Sequence, residues 1–378
     1  MVTGTRAEYG ILRPVLRAIR AHPLLELMLV VTGMHLLHEF GYTVGEIEND
    51  GFKIDAKIDM LLASDTLRGM AKSVGLGIHS MAQCLEQLKP DMVLVLGDRL
   101  ESFAATVASA YMHIPIAHIA GGDTGIGSNI DNPNRHAMTK FAHIHLPSTE
   151  GARERIIRMG EEDWRVYKVG SPGLDEVLNA ELAASDVIAK KYSLDLSKPL
   201  ILLIQHSVTT QVDEAPRQMR TTLEVIKELN LPTIQIYPNS DAGGRSIIEV
   251  IKEYEKYHFI KSFKSLPRFE YLSLMKIASV IVGNSSSAYI EAPSFGLPAV
   301  EVGIRQVGRE KGKNVIEVGH DKAEIMRAIK KALTDQEFLS EVKNCENPYG
   351  DGKSSPRIVK ILCDIEITPE LIRKRITY

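Results

Sequence analysis

Short apolar segments rich in Val, Ile and Leu alternate along this chain with longer segments of helical periodicity, and this alternation restricts the possible folds more than any other feature. Strands that are apolar at nearly every position are typical of parallel sheets covered by helices on both faces. We therefore predict an α/β fold. The predicted strands are Leu27–Val31, Met92–Leu96, Ile116–Ile119, Leu200–Ile204, Thr233–Tyr237, Val280–Val282 and Ala299–Val302. The predicted helices are Tyr9–Arg20, Thr66–Leu88, Leu100–Met112, Thr221–Leu229, Ser286–Phe295 and Lys322–Leu333.

The strand and helix pattern restarts at Pro199–Ile204, after the polar helical stretch Leu174–Ser193. Because 378 residues suffice for two domains of ~100–200 residues each, we predict two doubly wound domains with a cleft between them. Ligands of such sheets bind beyond the carboxyl ends of the strands, so the functional residues are expected in the turns after strands. Val2–Arg6 has the composition of a strand end and its turn, which indicates either a very short first strand or a natural start upstream of Met1.

Charge and composition argue against nucleic acid or a membrane as a partner. The formal net charge is −3, and Lys and Arg cluster only in a short stretch at 372–375. No apolar segment reaches the ~18–20 residues of a membrane span, and no signal-peptide pattern is present. Cys84, Cys345 and Cys363 form neither a disulfide framework nor paired metal ligands. We expect a cytoplasmic protein without a metal ion or other cofactor.

Polar residues concentrate in the turns that follow the predicted strands. Gly97–Arg99 follows one strand, and His118–His136, with four glycines and two aspartates, begins at the end of the next. Gln205–Thr210 follows the first strand of the second half. These three turns occupy corresponding places in the fold, so we expect them to form one site.

Gly283–Ser287 leads from a strand into a helix, which predicts a phosphate-binding turn because free N–H groups and the helix dipole favour an anion. Asn284 or Ser285 could equally be a simple helix cap. Glu291, further along this helix, could accept hydroxyls from a ribose or lie on a solvated face. Another polar turn, Pro238–Gly244, follows the strand before.

Several common active sites are absent from the sequence. It has no GxxxxGK[ST] loop and no GxGxxG after a strand, which removes the usual support for ATP hydrolysis and for NAD binding. HExxH and GxSxG are missing as well, so a zinc protease or an acyl-enzyme hydrolase is not indicated. His143 and His145 are interpreted as structural histidines.

Nine motifs, taken in their order along the chain, resemble those of the UDP-N-acetylglucosamine 2-epimerase family. They are Gly4–Gly10, Leu96–Arg99, His118–Asp123, Arg135–Lys140, His206–Thr210, Pro238–Gly243, Val282–Ser287, Arg305–Gln306 and Asn347–Lys353. The resemblance covers nearly the whole chain and is strongest to the hydrolysing branch, which releases UDP and N-acetylmannosamine for sialic-acid-type sugars. It implies a GT-B-like fold of two Rossmann-like domains, with a nucleotide-sugar substrate and a homodimer or homotetramer.

The resemblance also implies where each part of the substrate binds. Residues 1–172 would form the first domain with the catalytic carboxylates, 173–356 the UDP-binding domain, and 357–378 a helix that returns to the first domain. The implied catalytic residues are Asp98, Asp123, Asp131 and His206. The implied substrate-binding residues are Arg6, Arg99, Arg135, His206, Asn239, Ser265, Leu266, Asn284, Ser285, Ser286, Glu291 and Arg305.

The chemistry of epimerisation at C2 agrees with these residue types. The C2 proton has no adjacent carbonyl to acidify it, so a carboxylate with an ordinary pKa near 4 is a poorly matched base for this proton. Cleavage of the C1–O bond must therefore run ahead of proton removal. Donors on the leaving diphosphate should then supply much of the catalysis. The candidate donors are Arg6, His206, Ser285, Ser286 and Arg305. Asp98, Asp123 and Asp131 would transfer protons and stabilise the cationic carbon, although Asp98 could be a helix cap and Asp131 a turn residue before Pro133.

The chain also departs from the family pattern around the sugar. Asp123 stands where the family usually has Glu, Ala120 stands where an acid or polar residue is common, and the loop Thr124–Ile130 is about two residues longer than usual. These departures indicate a modified substrate, such as a diacetamido-trideoxy sugar or the sugar of another nucleotide. Three alternatives remain open: a non-hydrolysing epimerase, a GT-B glycosyltransferase, and an inactive regulator that binds nucleotide sugars.

Overall fold

The computed structural model describes residues 1–38, 41–62, 67–125, 130–179, 181–208, 210–238 and 243–378. They form two compact units. Unit 1 contains Met1–Thr124, a second stretch that ends at Glu176, and Tyr349–Tyr378, and unit 2 is formed by Val177–Pro348. The chain thus passes into unit 2 after residue 176 and returns at residue 349, where the sequence predicted limits at 172 and 356.

Each strand of the described residues is short and each is followed by a helical segment or a turn. The strands are β1 (Val2–Thr3), β2 (Val30–Thr32), β3 (Ala56–Ile58), β4 (Val93–Leu96), β5 (Ile116–Ile119), β6 (Ile144–Leu146), β7 (Ile201–Ile204), β8 (Thr233–Ile236), β9 (Ile260–Phe263), β10 (Val280–Gly283), β11 (Ala299–Val302) and β12 (Val315–Val318). The helices are α1 (Arg6–Ala21), α2 (Val44–Asn49), α3 (Leu67–Leu88), α4 (Leu100–Tyr111), α5 (Asp131–Phe141), α6 (Glu150–Arg158), α7 (Pro172–Asn179), α8 (Ser185–Tyr192), α9 (Ala215–Leu229), α10 (Gly244–Tyr254), α11 (Arg268–Ile277), α12 (Ser287–Ile290), α13 (Lys322–Thr334), α14 (Gln336–Lys343), α15 (Ser354–Asp364) and α16 (Pro369–Ile372).

Both units have the strand order of a doubly wound fold. In unit 1, β1, β2 and β3 form one parallel ladder and β4, β5 and β6 another, and β1 lies beside β4. In unit 2 the parallel order is β12-β11-β10-β7-β8-β9. The order therefore reverses between the first and fourth strands of each unit, and ligands of such sheets bind at the carboxyl edge near this point.

The structure differs from the predicted elements mainly at the ends of the sheets. The strands that the sequence did not indicate, β3, β6, β9 and β12, are the outermost ones in each unit. Strands β3, β9 and β12 are partly exposed and carry polar residues, and the buried three-residue β6 has His145 at its centre, so all four lack the continuous apolar pattern of central strands. The first strand is the very short β1, one of the two expected alternatives.

Among the predicted helices whose limits differ in the structure, two show a clear local reason. Helix α1 begins at Arg6 because the side chain of Thr5 accepts the backbone N–H of Glu8 as an N-cap. The predicted helix Ser286–Phe295 is divided into the four-residue α12 and a 3₁₀ turn at Ala292–Phe295, which has a proline in its first turn. Helix α15 packs against α1 in unit 1, as the resemblance implied. No helix of the described residues combines the length and hydropathy needed to cross a membrane.

Candidate active site

Arg135 connects the turns that follow β4 and β5 in unit 1. Its side chain is 9% exposed, and its guanidinium donates to the carboxylate of Asp98, to the carbonyl oxygen of Asp123 at 2.9 Å and to Oδ1 of Asn132 at 2.9 Å. Asn134, on the same helix, donates to the Asp98 carbonyl oxygen at 3.3 Å. One buried cation thus links both turns that the sequence predicted to be catalytic.

Asp131 is the first residue of α5, four residues before Arg135. Residues at this spacing share one face of a helix, and the helix N-terminus favours a negative charge. The Asp131 side chain is exposed, so it is accessible from solvent. Asp131 therefore belongs to the same helix as Arg135 and is not a separate turn residue before it.

His118 and two glycines shape the turn that carries Asp123. His118 Nε2 donates to the Gly97 carbonyl oxygen at 2.7 Å, and burial lowers the pKa of His118 to about 4, so the imidazole is neutral. Gly122 has a φ of +78°, and a Cβ there would lie 2.4 Å from the Ala152 carbonyl oxygen. Only glycine fits this approach of two backbones. The sequence alone did not indicate a role for His118, although it is the one polar residue of β5.

Arg6 and Arg99 lie at the same edge of unit 1 and are more exposed. Arg6 forms an ion pair with Glu46 at 2.9 Å, and both side chains are about half exposed. Arg99 lies 3.4 Å from the buried carboxylate of Glu101. Exposed ion pairs contribute little to stability, so the Arg6 guanidinium can exchange its partner for an anionic ligand at small cost.

In unit 2, Asn284 fastens the turn after β7 to the turn after β10. Its Oδ1 accepts the backbone N–H of His206 at 2.7 Å, and its Nδ2 donates to the His206 carbonyl oxygen at 2.9 Å. The Asn284 carbonyl oxygen accepts from Arg305 Nη1 at 3.1 Å and from Gln306 Nε2 at 3.0 Å. Both polar atoms of its amide are therefore used within the protein. The resemblance implied Asn284 as a substrate contact, and in the structure its amide also positions His206 while its carbonyl oxygen holds Arg305.

His206 is held as a neutral imidazole. Burial, together with the smaller effect of the Arg305 charge, lowers the pKa of His206 to about 3. A neutral imidazole keeps one N–H donor and one acceptor at physiological pH. His206 can thus donate one hydrogen bond without contributing a positive charge, and Arg305 supplies the charge in this part of unit 2.

The turn after β10 has the small residues expected of a phosphate-binding loop. Gly283 has a φ of +121°, and a Cβ there would lie 2.0 Å from the Ile204 carbonyl oxygen. Ser285 and Ser286 are partly exposed, and Ser286 occupies the N-cap position of α12. Because α12 has only four residues, its dipole is small, and the serine hydroxyls and backbone N–H groups are the main donors of this turn.

The remaining predicted contacts of unit 2 lie around α11. Ser265 and Leu266 line a cavity of about 490 Å³ together with Tyr192 and Phe263, whose rings meet edge to face with centroids 5.2 Å apart. Glu291 is mostly buried and accepts a hydrogen bond from Arg268 at 3.0 Å, so it is not a solvated surface residue. Asn239 lies outside the described residues. Among the residues that the structure describes, no three His, Cys, Asp or Glu side chains are arranged to hold a metal ion.

A family model described as UDP-N-acetylglucosamine 2-epimerase matches residues 17–363. The chain therefore belongs to the UDP-N-acetylglucosamine 2-epimerase family. One member, from Legionella pneumophila, is named a hydrolysing UDP-N,N'-diacetylbacillosamine 2-epimerase and is 38% identical over 99% of this chain and 97% of its own length. Another, from Campylobacter jejuni, is named a hydrolysing GDP/UDP-N,N'-diacetylbacillosamine 2-epimerase and is 37% identical over 84% of this chain and 83% of its own.

The fold of this family member is similar to that of solved epimerases. The structure of UDP-GlcNAc 2-epimerase from Neisseria meningitidis bound to UDP-GlcNAc superimposes with a TM-score of 0.83 at 20% identity, over 96% of this chain and 99% of that one. The GT-B-like fold that the resemblance implied is thereby confirmed.

Proposed function

We propose that this chain is a hydrolysing 2-epimerase of a UDP-linked acetamido sugar. The observation that carries the proposal is the 38% identity, along 99% of the chain, to a relative named as a hydrolysing 2-epimerase. The contacts of Arg135 support it, because they join the turns of two of the carboxylates that the reaction needs.

The proposed reaction has two steps. In the first, a base removes the C2 proton, the C–H electron pair becomes the C1=C2 double bond, and the C1–O electron pair leaves with UDP. In the second, water adds to this glycal, with hydroxyl at C1 and a proton delivered to C2 on the opposite face. The products are UDP and the free sugar with inverted configuration at C2.

The unit 1 carboxylates are assigned to the sugar. Asp98, Asp123 and Asp131 move the C2 proton, stabilise the cationic C1 and deliver water, which are tasks for carboxylates held at fixed positions. Arg135 orients Asp98 and the Asp123 turn. The exposed Asp131 at the start of α5 is the one of these acids that is best placed to meet water.

The unit 2 donors are assigned to the leaving UDP. Arg305 supplies positive charge, while neutral His206 and the hydroxyls of Ser285 and Ser286 donate hydrogen bonds. Each well-placed donor is worth roughly 3 kcal/mol when charge develops on the leaving oxygen. Arg6 and Arg99 are further cationic contacts of the diphosphate. The cavity at Ser265 and Leu266 would take the base, and Glu291, oriented by Arg268, would accept ribose hydroxyls.

We further infer that the sugar is a 2,4-diacetamido-trideoxy hexose rather than N-acetylglucosamine. The two relatives at 37% and 38% identity are named for diacetylbacillosamine nucleotides. In the turn after β5, Ala120 and Asp123 are smaller than the residues common in the family, and Ala120 has a left-handed φ of +57°. Smaller side chains in this turn are expected to leave more room for a substituted sugar.

Turnover in D₂O followed by NMR tests the function and the substrate together. The protein is incubated with UDP-N-acetylglucosamine and, separately, with its UDP-diacetamido-trideoxy counterpart. Free UDP and a C2-deuterated sugar of inverted C2 configuration support hydrolysis, and a higher kcat/KM for the second substrate supports the assigned sugar. Epimers that remain linked to UDP would instead indicate a non-hydrolysing enzyme. Binding of both compounds without turnover would indicate a regulator.

A further inference from the structure

The end of α5 is held by a lysine from the far end of the chain. Lys374 Nζ donates to the carbonyl oxygen of Thr139 at 3.2 Å and to that of Lys140 at 2.8 Å. These carbonyl groups belong to the last turn of α5 and have no acceptor role within the helix. A cation at a helix C-terminus satisfies such oxygens and interacts favourably with the helix dipole.

Lys374 is fixed by a buried carboxylate. Glu161 is 1% exposed and forms ion pairs with Lys374 at 2.6 Å and Lys140 at 2.8 Å, and it accepts from His145 Nε2 at 3.0 Å. Burial alone would raise the pKa of Glu161, but these hydrogen bonds lower it to about 2, so the carboxylate is ionised. Removing one partner of such a buried ion pair strongly destabilises the protein, because the other charge stays buried without compensation.

A second buried group fastens the backbone around Lys374. The guanidinium of Arg165, whose side chain is 1% exposed, donates to the carbonyl oxygens of Leu371 at 2.7 Å, Glu370 at 3.1 Å and Arg373 at 3.3 Å. Three contacts from one buried side chain hold this segment in place. The position of Lys374 is therefore determined by the fold of unit 1.

Helix α5 carries the contacts of the candidate active site. The Thr139 hydroxyl donates to the Arg135 carbonyl oxygen at 3.0 Å, one helical turn before the carbonyl that Lys374 binds. Arg135 in turn orients Asp98. We propose that Lys374 is a positioning residue for the epimerase reaction: by holding the end of α5 it keeps Arg135 and Asp98 in their productive arrangement. This inference rests on the function proposed above.

The charge of Lys374 is expected to titrate near neutral pH. Burial lowers the pKa of Lys374 to about 8, and Glu161 opposes this effect. The other charged or titratable groups around it are Lys140, Arg165, His143, His145 and His118. Burial lowers the pKa of each of the three histidines to about 4, so they stay neutral above pH 6. Loss of the Lys374 proton above pH 8 should therefore weaken the anchor of α5.

Lys374→Met, Lys374→Arg and a control, Lys360→Met, test the inference by activity. Lys360 is an exposed lysine of α15 paired with Asp364, and an exposed pair of this kind contributes little. We expect K374M to lower kcat about 10- to 100-fold, since a displacement of about 1 Å can cost 10²-fold. UDP affinity should change less than about twofold, because the nucleotide contacts lie mainly on unit 2. Such a change is well below the tenfold that 1.4 kcal/mol represents. K374R should recover most of the activity and move the alkaline limb of the pH profile upward, because a guanidinium stays charged.

Three results would overturn the inference. They are an unchanged kcat in K374M, a K374R variant that is no better than K374M, and an alkaline limb at the same pH in K374R and the wild type. Hydrogen exchange of the α5 amides gives a readout that does not need turnover, and K374M should exchange faster there than K360M. If the wild type turns over no nucleotide sugar, the proposed function fails, while equal exchange in K374M and K360M would refute the anchor itself.

Discussion

Replacing Arg135 by methionine removes the group that joins the two catalytic turns of unit 1. Methionine keeps much of the aliphatic stem but loses the donors to the Asp98 carboxylate, the Asp123 carbonyl oxygen and Asn132. The Arg135 and Asp98 side chains are only 9% and 18% exposed, so solvent screens their interaction little. The variant should therefore lose orientation of Asp98 rather than a weak surface contact.

The magnitude follows from the lost contacts. A hydrogen bond to a charged group is worth about 1.5–3 kcal/mol. If only the bond to Asp98 is lost in the transition state, kcat falls about 10- to 150-fold, because each 1.36 kcal/mol is a factor of ten. Loss of the bond to the Asp123 turn adds to this, so we expect at least about a 100-fold decrease. UDP affinity should remain unchanged, since the residues assigned to UDP lie mainly on unit 2.

A double-mutant cycle measures whether Arg135 acts through Asp98. Turnover is measured for R135M, Asp98→Asn and the double variant, with Arg153→Met as the control. Arg153 is an arginine of α6 that pairs with Glu150 and Asp163 near the surface, and its loss should matter little. If Arg135 acts through Asp98, the double variant is no slower than D98N within about threefold. The reasoning would be refuted if the rate losses of the two single variants multiply in the double variant, or if R135M is as fast as the wild type.

Three further predictions concern the two units separately. D98N and Asp131→Asn should reduce turnover to a small residual rate and leave UDP affinity nearly intact, and calorimetry that finds comparable loss of UDP binding in both variants would contradict the division of roles. Ser286→Ala should weaken UDP binding by about tenfold, which is the loss of one hydrogen bond of about 1.4 kcal/mol, and an unchanged affinity would reject the phosphate-binding turn. Burial raises the pKa of Glu301 to about 9 from 4.5, so folding keeps it protonated and the wild type loses stability as the pH rises from 4.5 through 9. In urea unfolding, the free energy of unfolding of Glu301→Gln should therefore increase relative to that of the wild type by about 1.4 kcal/mol per pH unit in this range. A difference between the two proteins that does not vary with pH would contradict the raised pKa of Glu301.

Local periodicity predicts the order of the central strands and of the main helices, but it does not predict the outermost strands of the sheets. The predicted strands Ile116–Ile119 and Ala299–Val302 coincide with β5 and β11, and β4, β7, β8 and β10 differ from their predictions by a single residue at one end. These strands are buried on both faces, so their apolar pattern is continuous in the sequence. The outermost strands β3, β6, β9 and β12 have no such pattern, and only pairing with a neighbour identifies them.

The sequence by itself determined the α/β class, the family, and the turns in which Asp98, Asp123 and the Gly283–Ser287 loop lie, because a turn after a buried strand can be recognised from adjacent residues. Only the tertiary structure decided how those turns are held. Arg135 meets Asp98 across 37 residues, Asn284 meets His206 across 78, and Lys374 reaches Thr139 across 235. Contacts of this kind depend on how strands and helices pack in three dimensions, and periodicity in one stretch of chain carries no information about a partner so far away.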